Sequence, residues 1–270
     1  MTGNNRRFFS PLPLRGDKGE RRKRRMNLGL SLAAFIFAVV FIVSAALAVN
    51  LYMQGRSEQA AFDELAKNAS ETALSSDPYE KYRFIYEQNP DFIGWLKIER
   101  TKINYPVMFT PDDPEYYLRR AFDGTESRSG TPFIGAGCDI DSDCCIIYGH
   151  NMKNATMFGT LDNYAQADFY AQVPTFTFTT TEEKRVYEVF AALKTRIMYN
   201  AEPGFRYYYQ AGELTENGFF ELTNWLISNA LYDAGIVPVY GDQIMILSTC
   251  SYHTANGRFI VAARRIDNQN

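Results

Sequence analysis

The longest apolar segment of the chain is an uncharged run of 22 residues, Leu28–Val49. A helix rises about 1.5 Å per residue, so this run is long enough to cross a hydrocarbon core of about 30 Å. Buried core helices seldom lack charge on every side and seldom follow a basic cluster such as Arg21–Arg25. The pattern therefore predicts a single transmembrane helix over residues 28–50. A cleaved signal peptide is the alternative, but its apolar core usually spans only about 7–15 residues.

Residues 51–78 are polar and end at the breaker pair Asp77-Pro78. Their apolar positions at helical spacing are Ala60, Ala61, Leu65 and Ala69. This pattern predicts a juxtamembrane helix or stalk. A second short helix is expected over Tyr79–Gln88, since a proline follows two residues later.

Beyond residue 91 the pattern changes to short segments rich in β-branched and aromatic residues, separated by glycine and proline. We predict strands over Phe92–Ile98, Pro106–Phe109, Thr131–Ile134, Cys145–Tyr148, Pro174–Thr180, Arg185–Ile197, Gln243–Leu247 and Arg258–Arg264. The strict alternation within Thr175–Thr179, followed by a polar turn, predicts a hairpin with the next strand. These segments predict a mainly β fold built on a largely antiparallel sheet or barrel.

One long helix is predicted between two late strands, over Leu214–Leu231. Its apolar face holds Phe219, Leu222, Leu226 and Ile227. With 46% hydrophobic and 22% charged residues overall, the composition is that of a globular protein and excludes wholesale disorder.

The formal charge of −3 hides two regions of opposite sign. Residues 1–27 hold nine basic and two acidic side chains, which leaves 19 basic and 29 acidic residues in the rest of the chain. By the positive-inside rule, the basic tail stays in the cytoplasm and everything after about residue 50 lies outside the cell. Because the tail abuts the membrane span, anionic lipid headgroups are its expected neighbours, and no nucleic-acid partner is predicted.

Four cysteines occur in the chain, Cys138, Cys144, Cys145 and Cys250. Two of them are adjacent in sequence, and an exported region of over 200 residues can bury a core without covalent cross-links. We therefore predict no disulfide framework. A bridge from Cys138 to Cys144 or to Cys145 stays open.

Only two histidines, His150 and His253, can supply imidazole acid–base chemistry near neutral pH. His150 follows the apolar run Cys145–Tyr148 and one glycine, just beyond a predicted strand. Cys250 follows a second apolar run in the same way. Two such side chains can meet at one rim of a barrel, as nucleophilic catalysis by a thiol requires. On spacing alone, a buried structural cysteine and a histidine in a turn remain the alternative.

Six sequence blocks resemble, in the same order, motifs of the sortase family and particularly of its class B. They are Asn89–Leu96, Tyr105–Val107, Tyr116–Leu118, Tyr148–Met152, Met157–Gly159 and Leu247–Cys250. The resemblance runs from about residue 79 to residue 266. Its most specific element is the Leu-Ser-Thr-Cys block followed by Arg258, and the long predicted helix resembles the insertion typical of class B.

The resemblance implies a cysteine transpeptidase on a closed eight-stranded β-barrel, with N-terminal helices and one long helix between late strands. Cys250 would attack the carbonyl after the Thr of a sorting motif and form a thioacyl enzyme. His150 would protonate the departing amine and then deprotonate the incoming one. Arg258 would stabilise the oxyanion or hold the substrate backbone, although Arg264 and Arg265 lie on the same predicted strand and only the family spacing favours Arg258.

Three further residues, Ser248, Thr249 and Asn151, are expected to contact the substrate. Ser248 and Thr249 remain open to a purely structural role in the strand. His253 lies in the variable loop before the arginine and is not expected to be the base.

The implied organisation is a cytoplasmic tail over 1–27, a transmembrane anchor over 28–50, a stalk over 51–78 and a catalytic domain over 79–270, displayed outside a Gram-positive cell. The implied partners are surface proteins with a C-terminal sorting motif of the Asn-Pro-x-Thr-Asn type. The acceptor would be an amine of the peptidoglycan cross-bridge or of lipid II. No cofactor is implied.

Other kinds of site do not fit. Asp139–Asp143 opens like a calcium loop, but position six is Cys144 and position twelve is His150, where the loop needs glycine and glutamate. Zinc could in principle be bound by Cys250, His253 and His150, but the chain has no ligand pair of the C-x2-C or H-E-x-x-H kind. Gly135–Gly137 lacks the third glycine of a dinucleotide loop. Three other functions stay open: a cell-wall cysteine peptidase, a pilus-polymerising enzyme and an inactive membrane-anchored binding module.

Overall fold

The computed structural model of the 270-residue chain describes residues 18–71, 77, 79–199 and 202–266. The first 17 residues of the predicted cytoplasmic tail, and residues 72–76 and 78 of the predicted stalk, lie outside the described residues. The chain divides into two compact units, one up to Gln54 and the other from Gly55 onward.

The N-terminal helix, α1, spans Lys18–Glu71 without interruption, so the predicted transmembrane helix and most of the predicted stalk are one element. Within the described residues, its segment Gly29–Lys67 is the one helix that is long and apolar enough to cross a membrane. The segment qualifies by length and composition alone: its most apolar window of 18 residues has a mean hydropathy of 2.9, and none of that window is buried.

In the second unit, α1 packs on the barrel through Phe62, which is 2% exposed and meets the Tyr105 ring edge-on at 5.4 Å. Leu65, predicted from the helical spacing, also packs on this core, whereas Ala60 and Ala61 are exposed. The face predicted for this part of the helix was therefore only partly correct. A phenylalanine buries far more apolar area than an alanine, so Phe62 determines which side of the helix contacts the barrel.

Helix α2 spans Glu80–Gln88, α3 spans Ala167–Gln172 and α4 spans Glu216–Ser228. The strands are β1 (Phe92–Lys97), β2 (Asn104–Met108), β3 (Phe133–Ile134), β4 (Cys144–Tyr148), β5 (Thr175–Thr179), β6 (Lys184–Arg196), β7 (Ile244–Cys250) and β8 (Gly257–Arg265). They close into a barrel in the order β1-β2-β3-β4-β7-β8-β6-β5, with β5 pairing back to β1. The predicted eight-stranded barrel is confirmed. It is mixed, because β2–β3 and β4–β7 are parallel and the other six pairs are antiparallel.

Strands β4 and β7 are apolar on both faces because both faces are covered. Side chains of alternate residues point inward and outward along a strand. Cys145, Ile147, Met245 and Leu247 belong to the main core, and Cys144, Ile146, Ile244 and Ile246 belong to a second cluster with Phe219, Leu222 and Leu226 of α4. Helix α4 is thus the predicted long helix. Its N-terminus is capped by the Thr215 hydroxyl, which accepts a hydrogen bond from the Gly218 amide. Of the apolar residues predicted for its buried face, Ile227 is only partly buried.

Candidate active site

The parallel pairing of β4 with β7 brings the candidate histidine and cysteine to the same end of the barrel. The ladder pairs Tyr148 with Ser248 as its last step. One residue further, the Thr249 hydroxyl donates to the Gly149 carbonyl oxygen at 2.7 Å. The next residue of each segment is His150 or Cys250, and both line the same cavity.

Strand β7 is longer than predicted and ends at Cys250 rather than at Leu247. The reason is its antiparallel partner β8, whose Arg258 pairs with Cys250. Cys250, His150 and Arg258 all line one cavity of about 410 Å3. The structure therefore brings the three predicted catalytic residues together from three different strand ends.

The His150 ring is half-buried and held by one hydrogen bond, between Nε2 and the Leu118 carbonyl oxygen at 2.9 Å. A carbonyl only accepts, so Nε2 carries the proton and the neutral ring has its lone pair on Nδ1. Among the described residues, Nδ1 has no hydrogen-bond partner. Burial lowers the pKa of His150, and the nearby charge of Arg119 acts in the same direction, against the opposing effect of the Leu118 hydrogen bond.

Two of the resemblance blocks anchor the carbonyl that holds His150. Leu118 lies in a 3-10 helix, Tyr116–Arg119, whose buried Tyr117 hydroxyl donates to the Asp91 carboxylate at 2.8 Å. The Asn89 amide donates to the same hydroxyl, also at 2.8 Å. Burial raises the pKa of Tyr117 to about 12, so this phenol keeps its proton and its donor role. Asn89 and Asp91 therefore fix Tyr117, and the next residue, Leu118, orients the His150 ring through its carbonyl oxygen.

Glycine is required on both sides of the turn that follows His150. A Cβ atom on Gly149 would lie 2.7 Å from Phe158 Cγ, and one on Gly159 would lie 2.5 Å from the Met152 carbonyl oxygen. The Phe158 amide in turn donates to the His150 carbonyl oxygen at 2.9 Å. The Met157–Gly159 block therefore closes the loop that carries His150 and limits its movement.

Arg258 differs from the other arginines of β8 in its partners. Arg264 pairs with Glu188 at 3.1 Å and with Asp242 at 3.4 Å, and Arg265 pairs with Glu183 at 2.6 Å. No carboxylate of the described residues pairs with Arg258, whose Nη1 donates to the Gly257 carbonyl oxygen at 3.0 Å. Its charge thus remains available to a ligand in the cavity.

The three predicted substrate-contact residues lie around Cys250 in different ways. Ser248 and Thr249 line the cavity, but their hydroxyls bond internally, to the Tyr207 hydroxyl at 2.9 Å and to the Gly149 carbonyl oxygen. Asn151 does not line the cavity: its amide nitrogen donates to the Cys250 carbonyl oxygen at 2.9 Å and to the Asp162 carboxylate at 3.3 Å. Asn151 thereby ties the loop after β4 to the end of β7.

Three tyrosines belong to the site, although no role there was predicted for any of them. Tyr148 and Tyr208 line the cavity, and Tyr207 supports Ser248 from behind. Burial raises the pKa of Tyr207 to about 12, so its phenol remains a neutral partner. The available sequence signal was the run of three tyrosines at 207–209.

The remaining candidate residues stand apart from the cavity. All four cysteines are free thiols, and burial raises the pKa of Cys144, which faces α4. His253 is exposed, and its Nδ1 bonds with the Ser251 hydroxyl at 2.9 Å. The carboxylates of the acidic segment are engaged too, Asp141 by Arg185 at 2.6 Å and Asp143 by the Leu214 amide at 2.8 Å.

Comparison with known proteins gives consistent results. The sortase domain family matches residues 96–266 of this chain. Sortase B of Listeria monocytogenes is 27% identical over 254 residues, which cover 90% of this chain and 99% of that protein. Sortase B of Staphylococcus aureus is 25% identical over 250 residues, covering 90% of this chain and 98% of that protein.

Solved structures agree in fold. A Staphylococcus aureus sortase B–substrate complex gives a TM-score of 0.68 at 24% identity, covering 79% of this chain and 98% of that one. Sortase B from Bacillus anthracis in complex with AAEK1 gives 0.66 at 25% identity, covering 80% of this chain and 99% of that one. The sortase domain match over residues 96–266, the sortase B relatives aligned over nearly their whole length and the shared eight-stranded barrel place this chain in the sortase family as a class B cysteine transpeptidase.

Proposed function

We propose that this protein cleaves a sorting motif after its threonine and joins the severed surface protein to an amine of the cell wall. The observation that carries the proposal is the shared cavity of Cys250, His150 and Arg258. A cavity of about 410 Å3 lies within the range of pockets that hold small ligands, and is of a size to take part of an extended peptide.

In the proposed first half-reaction, the Cys250 sulfur attacks the threonine carbonyl carbon as His150 Nδ1 accepts the thiol proton. The carbonyl oxygen gains negative charge, and the Arg258 guanidinium donates to it. The peptide C–N bond then breaks, and the imidazolium gives its proton to the leaving amine. A lowered pKa suits this order of events, because the resting ring is then neutral and its proton comes from the thiol.

In the proposed second half-reaction, an acceptor amine attacks the thioester. His150, neutral again, removes a proton from that amine, and the proton returns to the departing Cys250 sulfur. An Asn-Pro-x-Thr-Asn type motif is the expected donor, and a cross-bridge amine of peptidoglycan or lipid II is the expected acceptor. The solved relative described as a sortase B–substrate complex supports a peptide donor.

For localisation, we propose a single-pass membrane protein with a cytoplasmic N-terminus and an extracellular catalytic domain. Two features support this topology: the uncharged run of residues 28–49 and the basic cluster directly before it. Contact of that cluster with anionic membrane lipid belongs to the same proposal.

The proposed reaction is tested by identifying the products formed from peptide substrates, rather than by measuring how fast the substrate disappears. Full-length protein in detergent micelles would be mixed with a set of threonine-containing sorting pentapeptides, with and without a glycine-type amine, and analysed by mass spectrometry. We expect an acyl adduct on Cys250 and an amine-linked product, both absent from Cys250→Ala. Products formed with water alone, even at high amine concentration, would instead identify a hydrolase, and no adduct with any member would favour a binding module.

Asn151 offers a test of how the nucleophile is held. We propose that its bond to the Cys250 carbonyl oxygen positions the thiol, while a direct contact with substrate stays a prediction. Asn151→Ala is expected to lower kcat by about three- to tenfold with little change in KM, because a misplaced nucleophile slows the chemical step more than binding. Steady-state kinetics would measure both constants.

The matched control is Asn163→Ala, since Asn163 is exposed on the 3-10 helix Phe158–Ala165. Its kcat should stay within about twofold of wild type, as usual for surface substitutions. A rise in KM for Asn151→Ala at unchanged kcat would contradict the positioning role and favour the predicted substrate contact.

A further inference from the structure

A second cavity lies on the outside of the barrel, away from the catalytic residues. Its volume is about 380 Å3, and its floor is the outer face of strands β2, β1, β5 and β6. Asn104, Lys97 and Thr177 form one row across this floor, and Thr179 pairs with Lys184 beside Trp95 in the next. The start of α2 and Ala66 of α1 form the walls.

The residues that line this cavity carry more positive than negative charge. Lys81, Lys97 and Lys184 line it together with a single carboxylate, Glu99. Glu99 pairs with Lys97 at 2.6 Å, and no carboxylate of the described residues pairs with Lys81 or Lys184. Burial lowers the pKa of Lys81, and repulsion by the like charge of Lys97 lowers it further. An anion placed between them would relieve that repulsion.

The cavity also offers a neutral hydrogen-bond donor. The buried Trp95 Nε1 donates to the Asn104 side-chain oxygen at 2.7 Å, which fixes the orientation of this amide. The Asn104 amide nitrogen has no hydrogen-bond partner among the described residues, although Asn104 lines the cavity. The rings of Tyr82 and Trp95 supply an apolar side to the same space.

We propose that this cavity binds a phosphate group carried on a small organic moiety. A phosphate monoester or diester offers several strong acceptor oxygens to ammonium groups, and three lysines that line one cavity suit an anion with more than one acceptor. The aromatic side would contact the carbon skeleton attached to the phosphate. An anionic lipid headgroup and a soluble organic phosphate share this chemistry. The proposal concerns a surface separate from Cys250 and does not rest on the proposed transpeptidation.

The chain supplies its own reporter for the test. It has two tryptophans, and Trp225→Phe leaves Trp95, which lines the cavity, as the one fluorophore of this type. In a first arm, full-length protein in dodecyl maltoside micelles is titrated with inorganic phosphate, glycerol 3-phosphate and acetate. In a second arm, the same protein is placed in nanodiscs of phosphatidylcholine with or without phosphatidylglycerol.

The double variant Lys81→Gln/Lys184→Gln is compared with Lys102→Gln/Lys153→Gln, which removes equal charge from exposed lysines outside the cavity. We expect a saturable change in Trp95 emission with the phosphates, and a dissociation constant raised about tenfold or more in the cavity variant but less than about twofold in the control. If Trp95 emission changes only in nanodiscs that contain phosphatidylglycerol, and this change is lost only in Lys81→Gln/Lys184→Gln, the proposal is supported and the phosphate group is that of a lipid.

Three results would overturn the proposal. They are no response in either arm, an equal loss in both double variants, and binding of acetate as tight as that of phosphate. Lys184, Lys102 and Lys153 are exposed and Lys81 is half-buried, so circular dichroism of both double variants is recorded first and should report unchanged folding. Repeating the titration with Cys250→Ala separates this site from catalysis, since binding should persist where transpeptidation is lost.

Discussion

Replacing His150 by alanine is expected to lower kcat/KM for a sorting peptide by about 10³-fold or more, the largest effect we predict for any residue other than the nucleophile. His150 is placed to act on both protons of the reaction, because it lines the cavity with Cys250 and its Nδ1 has no partner among the described residues. Without it, the thiol would have to lose its proton to water and the leaving amine would depart unprotonated. The acyl-transfer assay described above, run with purified variants, measures the effect.

The other histidine provides the matched control. His253 lies three residues beyond Cys250, but it is exposed and bonded to Ser251 outside the cavity. His253→Ala should therefore retain kcat/KM within about twofold of wild type. A loss of activity in His253→Ala together with a functional His150→Ala would reverse the assignment of the base.

The pKa of His150 determines how activity should fall at acidic pH. Burial keeps the pKa of His150 below its ordinary value of about 6.5, so the neutral ring that accepts the thiol proton predominates above that pH. Activity should therefore stay high as the pH falls toward 6.5 and decline only below it, as the ring becomes protonated. An acidic limb of kcat/KM centred well above 6.5 would contradict this account.

Replacing Arg258 by lysine is expected to reduce kcat by about 10²-fold, the second large effect. Lysine keeps the positive charge but loses the planar group with several donors that can bond an oxyanion and a neighbouring carbonyl together. Removal of one oxyanion donor from an enzyme typically costs about 10²–10³-fold in kcat. Arg258 has no carboxylate partner among the described residues, so this variant breaks no ion pair of the fold.

Arg264→Lys on the same strand is the control for this substitution. Arg264 pairs with Glu188 and Asp242 and does not line the cavity, so its replacement should leave kcat nearly unchanged. Burst kinetics with a thioester-forming peptide would show whether Arg258→Lys slows acylation itself. A rate close to wild type for Arg258→Lys would exclude Arg258 from the chemistry.

Much of the molecule could be predicted from sequence because its signals are local. The alternation of Thr175–Thr179, the glycine and proline breaks and the apolar runs before His150 and Cys250 predicted strands that the structure contains. The apolar runs of β4 and β7 predicted burial, although not that the barrel interior covers one face and α4 the other. Strand ends were less accurate, since pairing with Arg258 extends β7 to Cys250.

The sequence by itself determined the residue types on which the proposed chemistry depends, the order of the strands along the chain and the apolar run that could span a membrane. Only the tertiary structure decided which arginine has its charge free for a ligand, because Arg258 and Arg264 differ in their neighbours rather than in their local sequence. It also decided that Asn151 bonds to the Cys250 carbonyl, that the Leu118 carbonyl holds the His150 ring, and that three lysines line one cavity. Each of these contacts joins segments distant along the chain, and such contacts follow from strand pairing and packing rather than from local preference.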